Sequence, residues 1–303
     1  MRAFNLFCVM HNLHYPASAG IRPSEDVLSY FVCHCHLNLK LTYATTKSYL
    51  AGIRNHFIES GLGNPMCDNF GQPLWSLKSI LKGLRKENGK PKLQRLPITA
   101  DILKRIFIVL GNSLFHEIDT ALMKAVCSMA WFGFLRCSEF TTLNNSFDPG
   151  CNVTNADVHL TSSAVRFTLK ASKTDPFRQG RIIHFFSVNN SICPVHAISS
   201  YMGMKRSRFT CYDNAPFFVR ADGNHLTRNT FVKMLQITLR TAGINPDGYY
   251  SHSFRIGACT SAANNGVNDH VIKELGRWSS NCYQLYAKES MEKLRQAHLQ
   301  MCR

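Results

Sequence analysis

The stretch Val165-Arg166-Phe167-Thr168-Leu169-Lys170, the decapeptide ASKTDPFRQG (171–180) and then Arg181-Ile182-Ile183-His184-Phe185 decide the fold class. Apolar and polar side chains alternate on both sides of a tip marked by Asp175-Pro176 and Gly180. That period of two predicts a hairpin. Elsewhere the spacing is helical. Leu28, Phe31, Val32 and Cys35 stand at i, i+3, i+4 and i+7, and Tyr49, Leu50, Ile53 and Phe57 lie in a helix over 45–58 that Gly61 stops. A further helix is expected over about 74–84. Thr99 is an expected N-cap for a helix through Leu110. Another runs from Asp119 with Leu122, Val126, Met129 and Phe132 on one face, and Pro194 and Arg228 open two more. The last third reads as helical, broken at Asn264-Asn265-Gly266 and at Gly276. The expectation is a mainly α chain whose second part carries one small antiparallel sheet.

The chain has 303 residues, 45% hydrophobic and 18% charged, enough for two domains that each bury a core. That excludes a disordered tail, a collagen-like rod and a disulfide-stapled miniprotein. Between Lys78 and Arg95 stand seven basic residues and one acid, Glu87, punctuated by Gly89 and Pro91. This run reads as an interdomain linker, dividing the chain into 1–92 and 93–303. Lys and Arg number 35 against 19 Asp and Glu, a net charge of +16. Residues 1–92 hold 11 basic and 5 acidic side chains, so both parts are basic. Such a bias favours polyanions, nucleic acid before membrane.

No run of about 18 apolar residues exists, so no spanning helix and no membrane partner are expected. Arg2, the stretch Ala3–Met10 and Ala17-Ser18-Ala19 have the outline of a secretory signal. Asn5 interrupts it and His11, Asn12 and His14 follow, so an amphipathic first helix is the better reading. The 12 cysteines are scattered with no C-x-x-C pair, as reduced buried thiols are. Cys33-His34-Cys35-His36 lacks a second ligand pair at finger spacing and reads as ordinary helix, so no metal and no cofactor are expected. Phosphate-binding, dinucleotide-binding, zincin and hydrolase-elbow motifs are all missing.

What remains is a set of cations and tyrosines. His252 and Arg255, in SHSFRIGACT (251–260), share one face of a helix's first turn, with Ser251 as an expected cap. The helix dipole there favours an anion. Arg136 and Glu139, in FGFLRCSEF (132–140), end a strongly apolar helix, where the arginine pairs either with that glutamate or with an external anion.

Together FGFLRCSEF, the lysine in LKASKTD (169–175), HSFRIGACT (252–260) and LGRWSSNCYQLY (275–286) resemble the tyrosine recombinases of the phage-integrase superfamily. The wording, GRWSS above all, is most similar to recombinases of eukaryotic DIRS-type and Crypton-type mobile elements, which implies action on nuclear DNA. The resemblance covers nearly the whole chain. It implies a helical SAM-like core-binding domain over 1–92 and an α+β catalytic domain over 93–303. It implies double-stranded DNA as partner, and a homotetramer acting on two duplexes. Carried over by position, Arg136 and Arg255 match the arginine pair on the scissile phosphate and Glu139 the acid that supports the first of them. Lys173 matches the hairpin lysine, His252 the first residue of H-x-x-R, and Tyr286 the nucleophile. Many members read L-G-H where this chain has Arg277. Trp278, one residue later, is the expected occupant of that role, in an unsettled register.

The residue types suit the chemistry. Guanidiniums are bidentate donors that stay protonated beside a charged phosphodiester. A phenol of pKa about 10 is roughly 0.1% ionised at pH 7 and needs a base or cationic surroundings. His252 supplies either, and Lys173 can protonate the departing 5′-oxygen. Tyr283, Tyr249 and Tyr250 are rivals for the nucleophile, and Lys170 for the acid. Two other classes share these residues: a DNA-binding protein that has lost catalysis, and a type IB topoisomerase that needs no second duplex.

Overall fold

The computed structural model describes residues 1–13, 21–87, 95–143, 145–161, 163–172, 175 and 177–285. The chain divides into two compact units, Met1–Lys92 and Leu93–Arg303.

The first unit is built of α1 (Arg2–Met10), α2 (Glu25–Leu37), α3 (Tyr43–Glu59) and α4 (Trp75–Glu87). Ser24 and Thr42 cap α2 and α3 by accepting from Val27 N and Thr45 N. Phe4, Phe7, Leu28, Phe31, Ile53 and Phe57 are buried in its core. Glu25 Oε1 accepts from Leu77 N (3.1 Å), tying the start of α2 to the start of α4. The Cys33–His36 segment lies on α2, with Cys35 in the core and His36 3.2 Å from Glu87.

One expectation is corrected here. The basic run does not begin as a connector at Lys78, because α4 continues through Glu87. Leu77 and Leu84 are buried, while Lys78, Lys82, Arg85 and Lys86 are exposed. The lysines therefore form the solvent face of an amphipathic helix. Residues 88–94 of the expected linker lie outside those described.

The second unit holds α5 (Ala100–Gly111), α6 (Glu117–Phe132), β1 (Val158–Leu160), β2 (Ala164–Leu169), β3 (Arg181–Phe186), α7 (Pro194–Arg208), α8 (Arg228–Thr241), α9 (Ser253–Asn264) and α10 (Asp269–Leu275). Thr99 caps α5 and Pro194 occupies the first turn of α7, both as read from the sequence. The sheet is antiparallel in the order β1-β2-β3, with Val165 opposite Phe185 and Val158 opposite Phe167. Val165, Phe167 and Phe185 face the core, whose centre is α6. A mainly helical unit with one small antiparallel sheet is thus the observed fold.

The strand-like segment 95–98 straps α9 into place. Leu96 N donates to Gly248 O and Ile98 N to Ser253 O, while Trp131 Nε1 donates to Ile98 O. Gly257 lies directly beneath this strap. A Cβ there would stand 1.8 Å from Ile98 O, so only glycine admits the crossing.

Candidate active site

Helix α6 ends at Phe132, and the chain turns sharply through Gly133 and Phe134. Phe134 has φ +48°, a left-handed conformation that costs a bulky residue energy and aims its carbonyl away from the helix. Arg136 then leads a single 3₁₀ turn, Cys137–Glu139. The Glu139 carboxylate grips it at both ends: Oε2 accepts from Arg136 N (2.9 Å) and Oε1 from Arg136 Nη1 (3.0 Å). Glu139 is 1% exposed and Arg136 18%, so the carboxylate is the buried root and the guanidinium the accessible tip. The internal pair foreseen as one alternative is real, and it leaves most of the Arg136 donors without a partner among the described residues.

Helix α9 brings the second group. His252 is its N-cap residue and Arg255 lies in its first turn. Ser251 does not cap the helix; Ser253 Oγ instead accepts from Tyr250 N (3.0 Å). Arg255 is 1% exposed, and its guanidinium donates to Phe134 O and Gly276 O. Burial, reinforced by the charges of Arg95, Arg255 and Arg136, pushes the His252 imidazole down to about 4. The ring is therefore neutral at pH 7, a state in which one nitrogen can accept a proton.

The turn after α10 closes the site. Arg277 has φ +55°. Its Nη1 donates to Gly133 O (2.8 Å), and its Nη2 to Glu139 Oε2 (2.8 Å) and Phe134 O (3.3 Å). Trp278 doubles back over Gly276, where a Cβ would stand 1.9 Å from the indole. The ring faces the Arg255 guanidinium at 4.3 Å, a cation–π contact, and packs edge-on to Phe134. The L-G-R-W segment thus fills two places at once, with Arg277 on the carboxylate and Trp278 on the arginine. Sequence reasoning had weighed these as alternatives for one place.

Arg136, Glu139, His252, Arg255 and Trp278 therefore meet, with Arg277 added. Lys173 and Tyr286 lie outside the described residues. Their rivals are placed, however. Tyr283 is buried, its hydroxyl donates to Asp269 Oδ2 (3.0 Å), and burial with that carboxylate raises its pKa, the wrong direction for a nucleophile. Lys170 Nζ is held by Asp157 Oδ2 (2.7 Å), Pro149 O (2.8 Å) and Thr154 Oγ1 (3.1 Å), which uses all its donors.

The field at the site is cationic. Arg95, Arg136 and Arg255 act on His252, and Arg136 and Arg181 on Arg277, with Glu139 as the buried counter-ion. Beside it a cleft of about 660 Å³ opens between the base of the β2–β3 hairpin and α10, lined in part by Ser172, Arg181, Lys273, Arg277 and Trp278. Its charged lining is mixed, with Arg181, Lys273 and Arg277 against Asp175 and Glu274, so only a small cationic excess favours an anion there.

Residues 151–293 match the family model described as the phage integrase family. No curated protein matches the chain by sequence. Among solved structures the chain is similar to the XerH site-specific recombinase bound to palindromic difH substrate, with TM-score 0.62 and 16% identity over 91% of this chain and 72% of that one. It is also similar to the Tn1549 transposon integrase in complex with circular intermediate DNA, with TM-score 0.58 and 14% identity over 92% and 86%. A lambda integrase dimer bound to a COC′ core site matches with TM-score 0.52 and 13% identity, over 88% and 65%. Residues 151–293 are thus similar to the phage integrase family, and the chain shares its fold with the XerH recombinase and the Tn1549 integrase.

Proposed function

We propose that the chain is a site-specific DNA recombinase that cleaves and rejoins double-stranded DNA through Tyr286. The observation that carries this reading is the cluster in which Glu139 holds Arg136, the turn at Phe134 holds Arg255, and both arginines act on a neutral His252, in a chain whose residues 151–293 match the phage integrase family. The scissile phosphate meets the accessible tip of Arg136, which offers its remaining donors to a nonbridging oxygen. Arg255, fixed between Phe134 O, Gly276 O and the Trp278 ring, supplies positive charge from a dry position.

His252 takes the phenolic proton as the Tyr286 oxygen attacks phosphorus. The Tyr–O–P bond forms, the P–O5′ bond breaks, and Lys173 gives a proton to the departing 5′-oxygen. The 3′-phosphotyrosyl link conserves the bond energy, so a 5′-hydroxyl from a partner strand reverses the step without nucleotide hydrolysis. In this reading residues 1–92 also grip the duplex, and four chains act on two duplexes. The GRWSS wording supports an origin in a DIRS-type or Crypton-type element, and hence action in the nucleus.

A duplex nicked near the target phosphate tests the reading, because loss of the short 5′ fragment traps the covalent intermediate. A protein–DNA adduct that survives denaturant is expected, and Tyr286→Phe abolishes it. A wild-type chain that binds this duplex yet forms no adduct overturns the proposal in favour of a catalytically inactive DNA-binding protein. Exchange between two labelled duplexes separates recombination from a topoisomerase.

A further inference from the structure

Arg277 occupies a place that none of the catalytic roles above requires, yet the fold invests heavily in it. Its backbone is left-handed, its side chain is 8% exposed, and its terminal nitrogens are engaged by Gly133 O, Phe134 O and Glu139 Oε2. Burying a guanidinium is costly unless geometry and partners repay it. Here the repayment is specific. Oε2 of Glu139 accepts from both Arg277 Nη2 and Arg136 N, and Oε1 accepts from Arg136 Nη1. The two cations thus hold one carboxylate from opposite ends of the sequence, and only Arg136 keeps donors turned outward.

We infer that Arg277 is a positioning residue for Arg136, acting through the Glu139 carboxylate. The inference rests on the reading of this site as the one that binds the scissile phosphate. With both terminal nitrogens committed, Arg277 has only Nε left, a buried atom without a partner among the described residues. It therefore sets the angle of the carboxylate that aims Arg136, and does not take the phosphate itself. Lysine cannot do the same, because a single ammonium does not span two carbonyls and a carboxylate in the planar fork that arginine presents. The carbonyls belong to the same turn that leads into Arg136, so Arg277 also clamps that turn from behind.

The test is a double-mutant cycle on single-turnover cleavage of the nicked duplex, with DNA affinity and melting temperature measured alongside. Arg277→Met and Glu139→Gln are each expected to slow cleavage by roughly 10- to 100-fold, the scale on which a misaimed catalytic group is felt. Affinity for the duplex should change little, since Arg136 remains present. The double variant should be no slower than the slower single variant, because both changes break the same link. Arg277→Lys should recover part of the rate by restoring charge beside Glu139. If Arg277→Met lowers the melting temperature below the assay range, the cycle is run with Arg277→Lys in its place.

Multiplying defects would show that Arg277 acts independently of Glu139, through Nε on the phosphate, and overturn the inference. So would a rate unchanged in Arg277→Met. Absence of an adduct with the wild-type chain overturns the recombinase reading and the inference with it. An adduct with the wild-type chain and additive defects removes the inference alone.

Discussion

The carbonyl oxygen of Phe134 accepts hydrogen bonds from both Arg255 and Arg277. It can do so because Phe134 adopts a left-handed conformation that swings the carbonyl out of line with α6. One peptide group thereby sets the separation of two guanidiniums that arrive on different elements, α9 and the turn after α10. The ring of Phe134 also meets Trp278, so backbone and side chain of one residue organise the same cluster.

Tyr286→Phe removes one hydroxyl, and duplex affinity should stay within about twofold while covalent adducts vanish. Tyr283→Phe should keep adduct formation and lower the melting temperature slightly, because it deletes the bond to Asp269. Gel analysis of denatured reactions checks both, and adducts lost only in Tyr283→Phe would reverse the assignment.

The pH dependence of stability has a definite sign. His252 titrates near 4 in the folded chain against an ordinary value near 6.5, so the unfolded chain binds the proton first. Stability from this group is complete above about pH 6.5 and is lost as pH falls toward 4. His252→Gln should flatten the melting-temperature profile across that window. Bound DNA should shift the imidazole upward, because a phosphate opposes the arginines; histidine NMR shifts with and without duplex measure it.

Lysine roles separate by leaving group. Lys173→Ala should cleave ordinary DNA about 10²- to 10⁴-fold more slowly, as loss of a proton donor does. It should recover on a substrate with sulfur at the bridging 5′ position, since a thiol of pKa near 8.5 leaves as the anion. Lys170→Ala should show no such sulfur-dependent recovery, and should instead cost about 1–3 kcal/mol by leaving the Asp157 carboxylate with its Thr154 hydrogen bonds but without its counter-ion. Denaturant melts and parallel cleavage assays on the two substrates distinguish them.

Gly276→Ala places a methyl where the Trp278 ring lies and should push the indole off Arg255. A loss of cleavage larger than that of Trp278→Phe, at unchanged affinity, is the expected result. Quenching of tryptophan fluorescence should change in parallel if the ring moves.

Affinity for duplex should fall steeply with salt, with a slope in log–log form of about −0.9 per neutralised phosphate. Replacing Lys78, Lys82 and Lys86 on the solvent face of α4 by Gln should flatten that slope. An unchanged slope would mean that this face does not meet the backbone.

Much of the architecture was legible because it is local. The alternation in 165–185 gave β2 and β3, Thr99 and Pro194 marked helix starts, and Gly276 marked the end of α10. What escaped was short or long-range. β1 is three residues with only Val158 turned inward, too brief for a period to show. The end of α4 was hidden because lysines crowd its outer face and obscure the buried Leu77 and Leu84. Arg277 could be placed in its motif, but its partner Glu139 is 138 residues away, and no spacing rule reaches that far. Ser251 was a reasonable cap by type, yet Ser253 makes the local bond instead.

The strap at 95–98 has a bearing on how this chain can vary in length. Leu96 and Ile98 are pinned by backbone hydrogen bonds to Gly248 and Ser253, and Gly257 leaves no room for the crossing to slide. Residues added or removed upstream of Leu96 are therefore absorbed before they reach α9. An insertion just after Ile98 would have to be taken up between the strap and Thr99, at the start of α5. The four residues 95–98 are the fixed point against which the site is assembled.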